Sequence, residues 1–222
     1  MWMVLKEMGV PHHLVVLIRN LYQENEAVVS LDKKCSEVFK VQKGVRQGCI
    51  LSPRLFNIYG EYIIRAALEN YEGGVSINGK KINNLRYADD TTLVARDEDE
   101  MASLLERVTN ESRALGLEIN LDKTKLMVID RSDTLQLKNL PSRVETVKEF
   151  IYLGSLITDG GGCEPEIRRR ITLARTAMSN LLKIWLDKQI SRNTKKVLLS
   201  TLVFPIFAYG SESWTIKTAD RR

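Results

Sequence analysis

The stretch LRYADDTTLVA, residues 85–95, sets two β-prone runs, 85–88 and 91–95, on either side of Asp89 and Asp90. Two such runs separated by two residues predict a tight antiparallel hairpin. Successive side chains on a straight strand point to opposite faces, so adjacent carboxylates converge on one centre only where a turn lies between or beside them. The hairpin supplies that turn. Two carboxylates held there repel unless protonated or neutralised, and clustered acidic oxygens are preferred ligands of Mg²⁺. Asp is also an ordinary hairpin-loop residue, and the pair taken alone fits plain turn chemistry.

Outward toward the N-terminus, 75–77 is a further strand. Ser52 as N-cap and Pro53 at the first helical position open a helix to about residue 70, with Leu55, Phe56, Tyr59, Tyr62, Ile63 and Ala66 as its apolar stripe. The segment VRQGC, 45–49, reads as a loop, and 27–31 with 38–42 as a hairpin about a polar turn at 32–34. Residues 1–8 and 11–22 read as short helices split by Gly9 and Pro11. Toward the C-terminus, Asp97 and Glu100 form a capping box for a helix over 98–115 that Gly116 closes. Strands are expected at 125–129 and 151–156. Beyond Gly160, Gly161 and Gly162 a helix opens at Pro165, with Ile167, Ile171, Ala174, Met178, Leu181, Leu182 and Trp185 at helical spacing and arginines mainly elsewhere. A last helix begins near Ser191 and is interrupted by Pro205. The expected fold class is α+β: a mixed helix and sheet body, 1–160, followed by a helical, basic segment, 161–222.

The chain has 222 residues, 44% apolar and 27% charged, which suits a globule with a buried core. No run of about 18 uncharged apolar residues is present to span a bilayer. Lys6 and Glu7 make the N-terminal stretch an amphipathic helix rather than a secretion signal, so the expected compartment is cytosol or nucleus. Cys35, Cys49 and Cys163 stand far apart, which excludes a zinc knuckle and makes a disulfide framework unexpected. From Glu166 to Arg222 twelve Lys and Arg face four acids; against a net charge of +5 for the chain, the preceding 165 residues therefore carry −3. A basic C-terminal third suits a phosphate backbone, and equally a solvated helix face. A hydrolase has no support: His12 and His13 start a helix, and the glycine loop lacks the Lys-Ser/Thr of a phosphate loop.

Three motifs stand in fixed order: Arg46-Gln47-Gly48 followed by Leu51-Ser52-Pro53 and Leu55-Phe56-Asn57; Tyr87-Ala88-Asp89-Asp90; and Gly116-Leu117 with Asn120 and Lys123-Thr124-Lys125. Together they closely resemble the palm of reverse transcriptases of non-LTR (LINE-type) retrotransposons. Farther on, Phe150 and Tyr152-Leu153-Gly154 resemble the strand-turn element that grips the primer in that family, and the stretch through Tyr209 to Trp214 resembles its thumb. A viral RNA-dependent RNA polymerase palm shares the Asp pair but commonly places Gly where Ala88 stands.

The resemblance implies an RNA-directed DNA polymerase that takes an RNA template, a DNA primer and dNTP, with two Mg²⁺ ions joining the primer 3′-hydroxyl and the dNTP phosphates. It makes Asp89 and Asp90 the metal ligands and catalytic carboxylates, with Tyr87 and Ala88 beside the primer end. Arg46, Gln47 and Gly48 lie at the incoming base pair and its phosphates, and Lys123 assists pyrophosphate departure. Arg168, Arg169 and Arg175 reach the nucleic-acid backbone. Such palms use a third carboxylate on a strand ahead of the helix with which this sequence begins, so residues 1–222 are expected to be a fragment without appreciable polymerase activity alone. The alternative is an inactive, nucleic-acid-binding remnant of the same domain.

Overall fold

The computed structural model describes residues 1–32, 34–129 and 144–216. These divide into two units, one Met1–Ile119 and the other beginning at Asn120.

In the first unit, helices α1 (Trp2–Glu7) and α2 (His12–Tyr22) are joined across Gly9, whose φ of +84° makes the bend. The expected hairpin over 27–42 forms as two short antiparallel ladders: β1 (Glu26–Ala27) with β4 (Phe39–Lys40), and β2 (Ser30–Leu31) with β3 (Lys34–Cys35). Their registers differ by one residue. Ser36 fills the offset, its hydroxyl accepting from Val29 N–H and its own N–H donating back to Val29 O. Helix α3 (Ser52–Ala67) then spans two cores. Its first turn contributes Leu55 to a cluster with Leu5 and Val15; its last turn contributes Ile64 and Ala67 to a cluster with Leu104 and Val108.

The strand over 75–77, β5 (Val75–Ile77), pairs with β6 (Lys80–Ile82), which the sequence reading did not find. Asn78 and Gly79 both carry positive φ, the demand of a primed two-residue turn. The Asn-Gly signal was present, but Lys80 and Lys81 masked the strand behind it. Next come β7 (Asn84–Tyr87), β8 (Asp90–Leu93) and helix α4 (Glu98–Ala114).

Two caps differ from expectation. Ser52 lies inside α3, not at its N-cap: it is buried, and its hydroxyl donates to Arg46 O at 2.5 Å. Asp97 does cap α4, accepting from Glu100 N–H at 2.9 Å, but Glu100 does not return to Asp97. Its carboxylate takes Arg96 N–H at 2.7 Å and Gly74 N–H at 2.5 Å, tying α4 to the start of β5. Gly116 closes α4 as expected, in a Schellman arrangement with Leu117 N–H on Ser112 O and Gly116 N–H on Arg113 O.

In the second unit β9 (Lys125–Leu126) pairs in parallel with β10 (Glu145–Thr146), shorter than the strand expected over 125–129. The single strand expected over 151–156 is instead a hairpin, β11 (Glu149–Tyr152) with β12 (Ser155–Thr158). Leu153 (φ +48°) and Gly154 (φ +82°) turn the chain, so an apolar run read as one strand contains its own reversal. Helix α5 (Glu164–Asn180) starts with Pro165 in its first turn, and α6 (Leu182–Leu186) follows at once. Ser191 caps α7 (Arg192–Leu198), accepting from Thr194 N–H. The α-helix begun at Ser191 does break ahead of Pro205, at Leu198. A π-turn over Leu199–Val203 carries the chain into α8 (Phe204–Ala208), with Pro205 at its start where a missing N–H is tolerated. The architecture is α+β, with every sheet two-stranded among the described residues.

Candidate functional site

Asp89 and Asp90 sit at the tip of the β7–β8 hairpin. Tyr87 pairs with Asp90, which leaves Ala88 and Asp89 as the two turn residues. Ala88 holds φ at +53°, unusual for a residue with a Cβ, and both carboxylates are exposed. The cross-strand register puts Tyr87 and Asp90 on one face of the ribbon and Arg86 with Thr91 on the other. Arg86 donates to Glu61 of α3 at 2.5 Å, and Glu61 also accepts from Arg65 at 2.6 Å. Arg65 and then Arg86 hold the Glu61 carboxyl below the usual carboxylate range, against the opposing pull of burial. At the hairpin base Leu93 packs against the core of Ile64, Ala67, Leu104 and Val108, and Val94 N–H donates to Asn83 O at 2.8 Å. The ribbon is thus anchored at its root and mid-length, with its acidic tip and Tyr87, 66% exposed, presented to solvent.

The Arg46-Gln47-Gly48 loop is set by positive φ at Gly44 and Gly48 and tied down from both ends. Arg46 donates to Leu21 O, the end of α2, at 3.0 Å, and its guanidinium lies 5.7 Å from the centre of the Tyr22 ring. Its carbonyl accepts from Ser52, whose hydroxyl is also 3.3 Å from Tyr22 OH. Gln47 and Gly48 are left exposed at the crest. Beside them, Leu51 N–H directed at the Cys49 thiol lowers it, with Ser52 and Arg46 adding to the effect over the opposing desolvation.

In the second unit Lys123 is exposed on a turn that Asn120 organises: Asn120 O and Oδ1 both accept from Lys123 N–H, and Asn120 O accepts from Thr124 N–H at 3.0 Å. Lys125 is paired with Glu145 across the β9–β10 ladder. On α5, Arg168 (side chain 77% exposed) pairs with Glu164, and Arg175 is exposed. Arg169 is half-buried, donating to Glu166 at 3.1 Å and to Gly154 O. Arg170, expected on the solvent side with the other arginines, is buried against Glu166; the (i, i+4) spacing of these opposite charges was the sequence signal for it.

The acidic hairpin tip carries two adjacent hard oxygen donors of the class that Mg²⁺ takes, and among the described residues no group of three or more His, Cys, Asp and Glu is placed to hold a metal ion. Glu61, which holds the ribbon through Arg86, carried no sequence signal, since the two are 25 residues apart.

Residues 2–157 match the family model described as reverse transcriptase (RNA-dependent DNA polymerase), more than half of the chain. A transposon-derived protein of Caenorhabditis elegans is 33% identical over 150 residues, 64% of this chain and 52% of that one. The Retrovirus-related Pol polyprotein of a type-2 retrotransposable element of Drosophila melanogaster is 29% identical over 153 residues, 68% of this chain and 14% of the other. One from a type-1 retrotransposable element of Bradysia coprophila is 28% identical over 211 residues, 90% and 23%. The chain therefore spans about half the length of the first relative and less than a quarter of the other two.

Proposed function

The chain belongs to the reverse transcriptase family, on the branch of the non-LTR retrotransposons, and from that premise we propose that it serves RNA-templated DNA synthesis, with Asp89 and Asp90 as metal-ligand carboxylates. The observation that carries this is the hairpin tip: adjacent acids at a two-residue turn, exposed, on a ribbon tied to α3 and its core. With Mg²⁺ bound there, the chemistry supplied is a lowered pKa for the primer 3′-hydroxyl and neutralised charge at the departing pyrophosphate. The chain's own residues align the reactants. Tyr87, on the face of Asp90, packs beside the primer end, and Ala88 lets the backbone approach. Gln47 and Gly48 read the incoming base pair from a loop that Arg46 and Ser52 hold rigid. Arg46 adds a positive charge near phosphate, and Lys123 assists the pyrophosphate. The functional division runs as a palm over 1–160 and a thumb-like segment over 161–222, distinct from the packing division after Ile119.

The test is primer extension on a primed RNA template with dNTPs and Mg²⁺, by this chain and by a longer protein with a third carboxylate ahead of residue 1. Synthesis by the longer protein, lost in Asp89→Asn with affinity for an RNA–DNA hybrid retained, is the expected outcome; extension that survives Asp89→Asn overturns it. The alternative is an inactive remnant that only binds nucleic acid. It predicts hybrid binding and no extension by either protein.

A further inference from the structure

We infer that Arg170 is a positioning residue: it fixes the Leu153–Gly154 turn of the β11–β12 hairpin from inside α5, and does not itself meet nucleic-acid phosphate. Arg170 and Glu166 are nearly inaccessible, with side chains 8% and 4% exposed, on a helix whose neighbouring arginines lie nearer solvent. The guanidinium donates through Nε to Glu166 at 2.6 Å and through Nη2 to Gly154 O, and lies 4.4 Å from the Tyr209 ring centre. Tyr209 in turn donates from its hydroxyl to Leu153 O at 2.6 Å. Both turn carbonyls are therefore captured by side chains from the helical segment. Glu166 completes the clamp by accepting Leu156 N–H at 2.9 Å on the strand beyond. A larger residue at 154 would strain the turn: φ is +82°, and an added Cβ would stand 3.3 Å from the Tyr209 ring, which would have to give way by a few tenths of an ångström.

A flexible two-residue turn has little orientational precision, whereas this one is held at Leu153 O, Gly154 O and Leu156 N–H by groups already fixed in α5 and beyond α8. The planar fork of Arg is what the geometry uses: one edge to a carboxylate, another to a carbonyl, a face to an aromatic ring. Lysine offers the same charge and none of that arrangement. The consequence for nucleic acid rests on the reading of this hairpin as the element that contacts the primer.

The experiment compares Arg170→Lys with Arg168→Lys in the full chain, by amide hydrogen exchange and by fluorescence anisotropy with a labelled RNA–DNA hybrid. In Arg170→Lys, amides at 153–156 should exchange roughly tenfold faster or more while the α5 interior keeps its protection, and hybrid affinity should fall several-fold; Arg168→Lys should do neither. Unchanged exchange at 153–156 overturns the clamp, and an affinity loss without faster exchange assigns Arg170 to direct phosphate contact instead. Faster exchange with unchanged affinity leaves the clamp standing and overturns the assignment of the hairpin to the primer. Should Arg170→Lys fail to fold, Tyr209→Phe removes only the bond to Leu153 O. Acceleration confined to the turn is then expected, and a turn unmoved in that variant also overturns the clamp.

Discussion

Ala88 carries the conformational tension of the acidic tip. A left-handed backbone brings Cβ close to the following carbonyl, at about 1–2 kcal/mol for an L-residue, and β-branching worsens the clash. With φ at +53°, Ala88 is the smallest side chain that still meets that penalty. Ala88→Val should therefore lower stability by a further ~1–2 kcal/mol, read from the urea midpoint, and loosen amides at 87–90, whereas Ala88→Gly should leave the hairpin formed. Equal midpoints for the unaltered chain and Ala88→Val would mean that the turn is set by something other than this φ. Ser52 makes the complementary case of a residue whose type was read correctly and its role wrongly. Its hydroxyl closes the Arg46 loop from within α3, so Ser52→Ala should accelerate exchange over 44–49 rather than fray the start of the helix.

At the scale of elements, helix α4 shows where local rules stop. Asp97 makes an ordinary N-cap bond, and Asp97→Ala should cost about 1 kcal/mol. Glu100 satisfies two N–H groups outside the helix and pairs with Arg96 at 3.2 Å. Arg96 N–H, ahead of the other partners and against burial, keeps its carboxyl below the usual range. Hydrogen bonds to a charged acceptor contribute about 1.5–3 kcal/mol, so Glu100→Ala should cost more than Asp97→Ala in paired urea titrations; the reverse order would restore the simple capping box. The same contrast explains what the sequence made legible. Helices with periodic stripes, the β7–β8 hairpin and the Gly116 stop follow from rules within four residues. The reversal at Leu153 lies inside an apolar run, the β6 strand is masked by the lysines that follow its Asn-Gly turn, and the contacts of Glu61 with Arg86 and of Glu100 with Gly74 N–H join residues 25 and 26 apart. Of the site, the acids and the glycine loop were legible, and the Glu166–Arg170 pair was legible as an (i, i+4) spacing but not as a buried one; the supports Glu61 and Ser52 were not.

The clamp on α5 adds a pH dependence to its unit. Burial pushes the Glu166 carboxyl up, but Arg170, Leu156 N–H and Arg169 together outweigh it and leave the group lowered. A carboxyl lowered on folding contributes stability that is fully present above its unfolded value, about 4.3, and is lost as pH falls through the folded value. The melting-temperature gap between the unaltered chain and Glu166→Gln should therefore be constant near neutrality and shrink below about pH 4. A gap that widens on acidification would give the carboxyl the opposite shift.

Over the whole molecule the charge is asymmetric: the net +5 rests on the segment after residue 165. No helix among the described residues is long and apolar enough to cross a membrane. Not every cation in that segment is available. Arg170 is buried in the clamp, Arg169 is half-committed to Glu166 and Gly154 O, and Lys195 donates to the carbonyls of Trp185 and Asp187. Arg168 and Arg175 are exposed on α5, Arg168 with only a solvent-facing partner in Glu164, an ion pair of the kind that contributes little. Each phosphate neutralised releases counterions and steepens the salt dependence by about 0.9 in the log–log slope on B-form duplex. Arg168→Ala with Arg175→Ala should accordingly weaken binding to all hybrid sequences alike and flatten the slope by about 1–2, measured by anisotropy across a salt series. Asp89→Ala should change neither quantity. Adding Arg169→Ala should lower affinity further with a smaller change in slope, because that side chain serves the hairpin as well as the surface. If the double variant binds with unaltered affinity and slope, the cations of α5 face only water, and the backbone-binding role moves off this helix.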